Sequence, residues 1–549
     1  MRAGLKKALV FASLIALFVV SACSGSTKTV SNPTSGDNKP TETAKPSTGK
    51  KTVSIGLSNA PGAFNPINAT DSTAGVLVSV LFDPLMSLDE ATLKFLPKLA
   101  DSIETKDNLT YTVKLNPKAK WTDGNPVTAD DVIFTIQLIG NPKVTAKATS
   151  SYALLEGFDA KGQLPAGGGE IPGVKKIDDY TIQYKMVAPT DENLFKSRFA
   201  TINTLPKHIF KDVDPEKLNQ HPFMQKPNVT NGSFKFVTNE KDQYVEFEAN
   251  KDYFRGAPKL DKVFFKFMPS ANIVAQLQSG EIDMNYPGLG TIAVQDFEKV
   301  KSMPNIKTIS GKPLNYQMMY YNMQTIPNAK VRQAIAYAMD RKTIVDSLLK
   351  REGEIMDVPY TSIHPNYKKD LKPYPYDPAK AKALLQDGGW DFNKTLNFVV
   401  PTGNKSREQS ADIIVENLKA VGVKATIQKV DLATVLQLGK KHEFDLLLLG
   451  LTFSIDPDLS MYLQTNNTSY NYSGYSSKEM DDLLIKGLKE MDPAKRTAIY
   501  NDIQDIIVRD LPQISLYADY RLGAVNKRVK VGVTKDLNML ADLNQWDVD

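Results

Sequence analysis

"FDLLLLG", Phe444 to Gly450, is the stretch on which the fold turns. It is a continuous apolar run and not an alternating one, which is what a strand shows when helices cover both faces of its sheet. Working outward, the preceding elements repeat a pattern. Strand "LNFVV" (396–400) leads to a helix from Glu408 to Val421 that stops at Gly422. Strand "VKATIQKV" (423–430) follows, then a short helix from Asp431, then the apolar run itself. This is a βαβαβ unit, and it predicts an α/β fold with a parallel sheet. After Gly450 the chain turns into "LTFSIDPD" (451–458). In open α/β sheets, ligands sit outside the carboxyl ends of the strands, so a loop carrying Thr452, Phe453 and Ser454 is a candidate binding element. Asp456-Pro457 equally well nucleates an ordinary surface turn.

The flanks add helices with local start signals. "PNAKVRQAIAYAMDRKTIVDSLLK" (327–350) reads as two helices broken near Asp340. "DPAKAKALLQDGG" (377–389) has an Asp cap, Pro at the first helical position and Gly past the end. A Ser476/Glu479 capping box precedes a helix from Lys478 to Met491, Asp492 caps one from Pro493 to Asp510, and "PQISLYADY" (512–520) closes the region as a strand. The first half differs. "KTVSIGLS", "DNLTYTVKL", "NGSFKF", "QYVEFEA" and "KVFFKF" alternate as strands, and "WTDGNPVTADDVIFTIQLI" (121–139) places a turn and a capping box of Thr128 and Asp131 before a helix. That half predicts mixed α and β structure with much antiparallel sheet. No internal repeat is visible.

The amino-terminal residues read as an address. Arg2, Lys6 and Lys7 precede an apolar run from Ala8 to Val20, as in a secretory signal, and the run is too short for a comfortable membrane span. Val20-Ser21-Ala22-Cys23 then resembles the bacterial lipobox, with Cys23 as the expected site of lipid attachment. Cys23 is the single cysteine of the 549 residues, so an exported chain has no disulfides to form. Residues 24–51 are mostly Ser, Thr, Pro, Gly, Asn and Lys, with little to bury, and are expected to be a flexible tether. About 500 residues remain, too many for one core. No later run approaches transmembrane length, so the folded part is expected to be soluble. The formal charge of +5 includes three leader cations, and the near-neutral remainder argues against a nucleic-acid partner.

Catalytic signals are lacking. No G-x-S-x-G elbow occurs, "HEFDL" (442–446) has Leu446 where a zincin needs its second histidine, and "GGGE" (167–170) lacks the Lys-Ser/Thr of a P-loop. His208, His221, His364 and His442 are far apart and are read as surface or turn residues, so neither metal nor cofactor is expected. Aromatic residues are the more suggestive supply: "NYQMMYYNM" (315–323), read as a strand, puts Tyr320 and Asn322 on one face, and "LYADYR" (516–521) brings Tyr517. Polar-tipped aromatics suit a site for varied organic ligands, although each alone is as well explained by core packing.

Several segments together resemble a known family. They are "WTDGNPVTADDV" (121–132), "NVTNGSFKF" (228–236), "LQSGEIDM" (277–284), "VRQAIAYAMDRKTIV" (331–345), "NYSGYSSKEMDDLL" (471–484) and "DPAKRTAIYNDIQDIIVRDLPQISLY" (492–517). In order and spacing they resemble the oligopeptide- and dipeptide-type extracellular solute-binding proteins of ABC importers, a class that includes nickel-binding members. The resemblance implies an α/β, two-lobed, periplasmic-binding-protein-like fold (type II, peptide-binding class) with an inserted side domain. It implies a lipoprotein signal at 1–22, a tether at 23–51, and a first lobe assembled from 52–86, 204–311 and 518–549. The side domain would be 87–203 and the second lobe 312–517, with hinges near Asn315–Tyr321 and Leu516–Tyr520. It also implies a membrane-anchored monomer that takes an oligopeptide between its lobes and hands it to the permease subunits of an importer, on the extracellular or periplasmic face. A nickel chelate, an opine or another small solute is the alternative within the class, and an extracellular enzyme the alternative outside it. In peptide-binding members the segment matching 450–457 runs along the bound peptide, and an aspartate there holds the peptide α-ammonium. Aligned without a gap, Phe453 takes that aspartate's place; with a gap, Asp456 supplies it. The expected ligand-binding residues are therefore Tyr320, Asn322, Thr452, Phe453, Ser454, Asp456 and Tyr517.

Overall fold

The computed structural model describes residues 51–549 except 70, 90–91, 166–168, 312, 372–373, 453, 466, 468–469 and 533–538. Cys23 and Phe453 therefore lie outside the described residues, as does the first half of the "GGGE" stretch.

Three sheets of four or more strands organise these residues. The apolar run at Leu446 is a strand, Leu446–Thr452, and its first four leucines are buried. Leu446 and Leu448 enter one core cluster while Leu447 and Leu449 enter another, so both faces of the strand are covered. It lies in a six-stranded sheet of order Gly353–Ile355, Gln513–Asp519, Asn315–Tyr321, Leu446–Thr452, Thr395–Pro401 and Lys424–Val430. The last three are mutually parallel, as the βαβαβ pattern predicts. Asn315–Tyr321 is inserted antiparallel between Leu446–Thr452 and Gln513–Asp519, which makes the sheet mixed. Asn322 lies one residue past that strand's end.

A seven-stranded sheet gathers strands from distant parts of the chain. Its order is Ile306–Ser310, Leu522–Asn526, Met284–Asn285, Thr52–Leu57, Lys262–Phe267, Tyr244–Ala249 and Phe234–Glu240. The third is a four-stranded antiparallel sheet of Ala100–Thr105, Thr110–Leu115, Thr181–Lys185 and Val174–Asp178. One hydrophobic cluster runs through both, from Val53 and Phe265 to Tyr111 and Ile182. The "WTDGNPVTADDV" segment fixes the helix Ala129–Gly140 here. Asp131 accepts from the backbone of Thr128 and Lys207 at 2.9 Å each, closing the expected capping box while tying in a remote residue.

Between Ser310 and Asn315, and again between Asp519 and Leu522, the chain passes from one large sheet to the other. The Gly311 amide donates to the Arg521 carbonyl at 2.7 Å, so the two links are joined side by side. The strands named as hinges thus begin or end at these links, and the links themselves are shorter.

Local signals placed most helices well. Asp340, Asp377, Asp431 and Asp492 each cap a helix through their carboxylates. Two starts are corrected. The cap before Lys478 is Ser477 rather than Ser476, because the Ser477 side chain meets the Met480 amide. The helix expected from Glu408 begins at Lys405, since Asn404 caps it through the Arg407 amide. Among the described residues no helix is long and apolar enough to cross a membrane.

Candidate functional site

The register of the six-stranded sheet brings chosen residues to one edge. Asn315 lies opposite Thr452, Gln317 opposite both Gly450 and Tyr517, and Gly353 opposite Asp519. Strand Thr395–Pro401 ends at the same edge and leads into the helix Lys405–Ala420. The parallel strands either side of this point connect in opposite directions, first outward to Lys424–Val430 and then back to Leu446–Thr452. This is a topological switch point, where open α/β sheets leave a crevice.

Arg407 lies in the first turn of that helix, at this edge of the sheet. Its Nε donates to Gln317 Oε1 at 2.7 Å. The guanidinium lies against the strand where Gly450 has no side chain; a Cβ there would stand 2.4 Å from Arg407 Nη2. Burial lowers the Arg407 pKa, while Tyr517, Asp519 and Glu408 favour its charge. Tyr517 is buried, donates to Ser410 Oγ at 3.1 Å, and has its pKa raised by burial. Among the described residues, Asp519 Oδ1 is buried without a hydrogen-bond partner.

The loop beyond Thr452 is held from several sides. Thr452 Oγ1 meets Asn315 Oδ1 at 3.2 Å, and Ser454 is exposed. Asp456 is buried and engaged: Oδ2 accepts from Arg496 Nη2 at 2.9 Å and Oδ1 accepts from the Asp458 amide at 2.9 Å. The Tyr360 hydroxyl donates to the Pro457 carbonyl. Asp458 Oδ1 accepts from the amide and hydroxyl of Ser460, and burial raises the Asp458 pKa, with neighbouring Asp456 adding to the effect. Arg496 carries the opposing charge. Burial works to lower its pKa, but Asp456, Tyr500 and Asp191 outweigh it and hold the guanidinium above its ordinary value.

His364 overturns one reading of the sequence. It is buried and not a surface residue, its Nδ1 accepts from the Asn366 amide at 3.0 Å, and its ring engages the backbone of Ser454 and Ile455. Burial pushes its pKa down to about 4. The other three histidines are half-buried or exposed, as expected.

The expected site residues thus fall into separate places. Thr452, Ser454, Asp456 and Tyr517 lie at or just beyond the carboxyl edge of the sheet. Tyr320 sits opposite Leu447, toward the other end of the strand, fully buried, its hydroxyl without a hydrogen-bond partner among the described residues and its ring 5.4 Å from that of Tyr472. Asn322 donates to the carbonyls of His442 and Phe444 at 2.9 and 2.7 Å, which pins the start of the apolar strand. The sequence reading missed Arg407, Arg496, His364 and Tyr360. Arg407 carries a usable signal, since the switch-point argument applied to the Ser454 loop applies equally to the turn after Val400. The others contact the loop from elements 40 or more residues away in sequence and carry no local signal. Among the described residues no group of three or more His, Cys, Asp or Glu side chains is arranged to hold a metal ion.

Comparison with known proteins places this geometry. The model of the bacterial extracellular solute-binding proteins, family 5 Middle, matches residues 94–474. The oligopeptide-binding protein AppA of Bacillus subtilis is 31% identical over 537 residues, covering 93% of each chain. The solved structure of AppA from Bacillus subtilis in complex with a nonapeptide superposes with a TM-score of 0.76 at 27% identity, over 91% of this chain and 99% of that one. The ABC transporter substrate binding protein CtaP from Listeria monocytogenes gives 0.79 at 28% identity, over 91% and 99%.

Proposed function

This chain belongs to the family 5 bacterial extracellular solute-binding proteins, and from that premise we propose that it captures oligopeptides and delivers them to an ABC importer. Membership makes it a binding protein and not an enzyme. In this reading the part built on the seven- and four-stranded sheets and the part built on the six-stranded sheet are the lobes that close on the ligand, through the links at 311–314 and 520–521. Such hinge closure around a solute is a recognised switching motion.

The observation that carries the peptide reading is Arg407. Its Nε is committed to Gln317, while its Nη groups have no hydrogen-bond partner among the described residues. A planar cation fixed at a switch point matches a carboxylate bidentately, and an oligopeptide supplies one at its C-terminus or on a side chain. The backbone from Leu451 to Ser454 then pairs with the peptide main chain, with Phe453 beside it. Asp456, Tyr320 and Asn322 take supporting parts, because their polar groups are buried or already engaged within the sheet and its loop. The relation to AppA, which has been seen with a nonapeptide, supports the same ligand class.

Lipid on Cys23 would hold this receptor, as a monomer, at the outer face of the membrane beside its permease. Two acyl chains suffice for stable anchoring where one is marginal. Cys23→Ala is expected to move the protein from the detergent phase to the aqueous phase with its fold intact; a mutant that stays membrane-bound contradicts the anchor.

Mass spectrometry of material released from the natively purified protein tests the ligand. Peptides of several residues are expected. Release of only a metal chelate or another non-peptide solute contradicts the peptide reading.

A further inference from the structure

Arg496 reaches in three directions. Its Nε donates to the Gly487 carbonyl at 3.0 Å, its Nη2 bonds Asp456 Oδ2 at 2.9 Å, and its Nη1 stands 3.5 Å from Asp191 Oδ1. The first two contacts stay among elements packed on the six-stranded sheet. The third crosses to the other half of the molecule. Asp191 caps the helix Glu192–Phe195, its Oδ1 accepting from the amides of Asn193 and Leu194 at 2.9 and 3.1 Å. Phe195 is stacked on Tyr111 with ring centroids 3.8 Å apart, inside the core shared by the seven- and four-stranded sheets. Asp191 is therefore fixed to that core.

A second charge on the same segment is also felt across the contact. Arg198, two turns beyond Asp191, favours the charged form of Asp458 and acts on the Tyr462 hydroxyl. Asp191 on one side thus meets Arg496 on the other, and the charge of Arg198 favours that of Asp458. Both recipients belong to the support of the Ser454–Ser460 loop: Arg496 holds Asp456, and Asp458 is bonded to Ser460. An ion pair between partly buried groups is screened less than one on the open surface.

We propose that Asp191, with Arg198 in support on the same segment, is a positioning residue for ligand retention: acting through Arg496, it ties the Ser454–Ser460 loop to the opposite half and sets how long the ligand is held. The retention part rests on the peptide-capture reading above; the loop-fixing part does not.

Asp191→Asn separates the charge from the cap, because asparagine caps a helix about as well as aspartate. Arg198→Gln removes the second charge independently. The probe is a fluorophore-labelled pool of random nonapeptides, whose release is followed by stopped flow. Each single variant is expected to release the probe about three- to tenfold faster, the scale of a partly buried ion pair, with the thermal midpoint of the ligand-free protein unchanged. A merely structural role would lower the midpoint and leave release alone. Unchanged release in both variants overturns the retention role. Amide hydrogen exchange of residues 454–460, followed with and without the nonapeptide pool, is the second readout, because the contact spans the halves that close. It is expected to quicken in the double variant, and unchanged exchange overturns the loop-fixing role. If the wild-type protein binds no nonapeptide, the peptide reading fails and exchange alone decides the contact.

Discussion

His364 illustrates how one side chain can govern a loop remote from it in sequence. Its folded pKa of about 4 lies below the ordinary 6.5 because burial disfavours the imidazolium. The unfolded chain therefore binds the extra proton first, and stability falls as the pH drops from 6.5 toward 4, then levels for this group. The loss is on the order of 3 kcal/mol across that window. Thermal melts between pH 4 and 7 are expected to show it, and His364→Gln should flatten the slope; an unchanged slope would remove His364 as its source. Asp456 leads to a second expectation at this scale. Its carboxylate is engaged by Arg496 and by the Asp458 amide, so a peptide α-ammonium does not depend on it. N-acetylating a bound peptide should cost less than about tenfold in Kd, or about 1.4 kcal/mol, by calorimetry on matched peptides. A hundredfold loss would show that a carboxylate still grips the N-terminus. Neither residue's role is legible in the sequence. Proximity of His364 to Ser454, or of Arg496 to Asp456, exists only after the elements between them have packed.

Elements were far more legible, and for a physical reason. The caps at Asp377, Asp431 and Asp492 act within three residues, so the signal and its effect lie in one short window. The parallel strands were readable because burial on both faces imposes a continuous apolar run, seen at Leu446 to Leu449. Insertion of Asn315–Tyr321 beside that run was not readable, since its partners Leu446–Thr452 and Gln513–Asp519 lie more than 120 residues away. The strand's own break in pattern has a steric reason. Gly450 ends the leucine run where Arg407 needs space. Gly450→Ala is expected to push the guanidinium off Gln317 and weaken peptide binding about tenfold or more, the scale of a charge-assisted hydrogen bond. The melting temperature should hardly move, because the flexible end of Arg407 can swing aside. Unchanged affinity in calorimetry would detach Arg407 from the ligand.

At the scale of the whole molecule, two large sheets are joined by two short, adjacent links, with the topological switch point at the edge of one of them. The links could be expected from the resemblance to the family, but not from periodicity, because strands 52–57 and 522–526 meet in one sheet from opposite ends of the chain. The central claim is that these halves close on an oligopeptide. Small-angle scattering on the stripped protein, repeated after adding back the peptides eluted from it, tests that claim most directly. A smaller radius of gyration is expected in the presence of the peptides, saturating with their binding. A radius that stays constant at saturating peptide would contradict it.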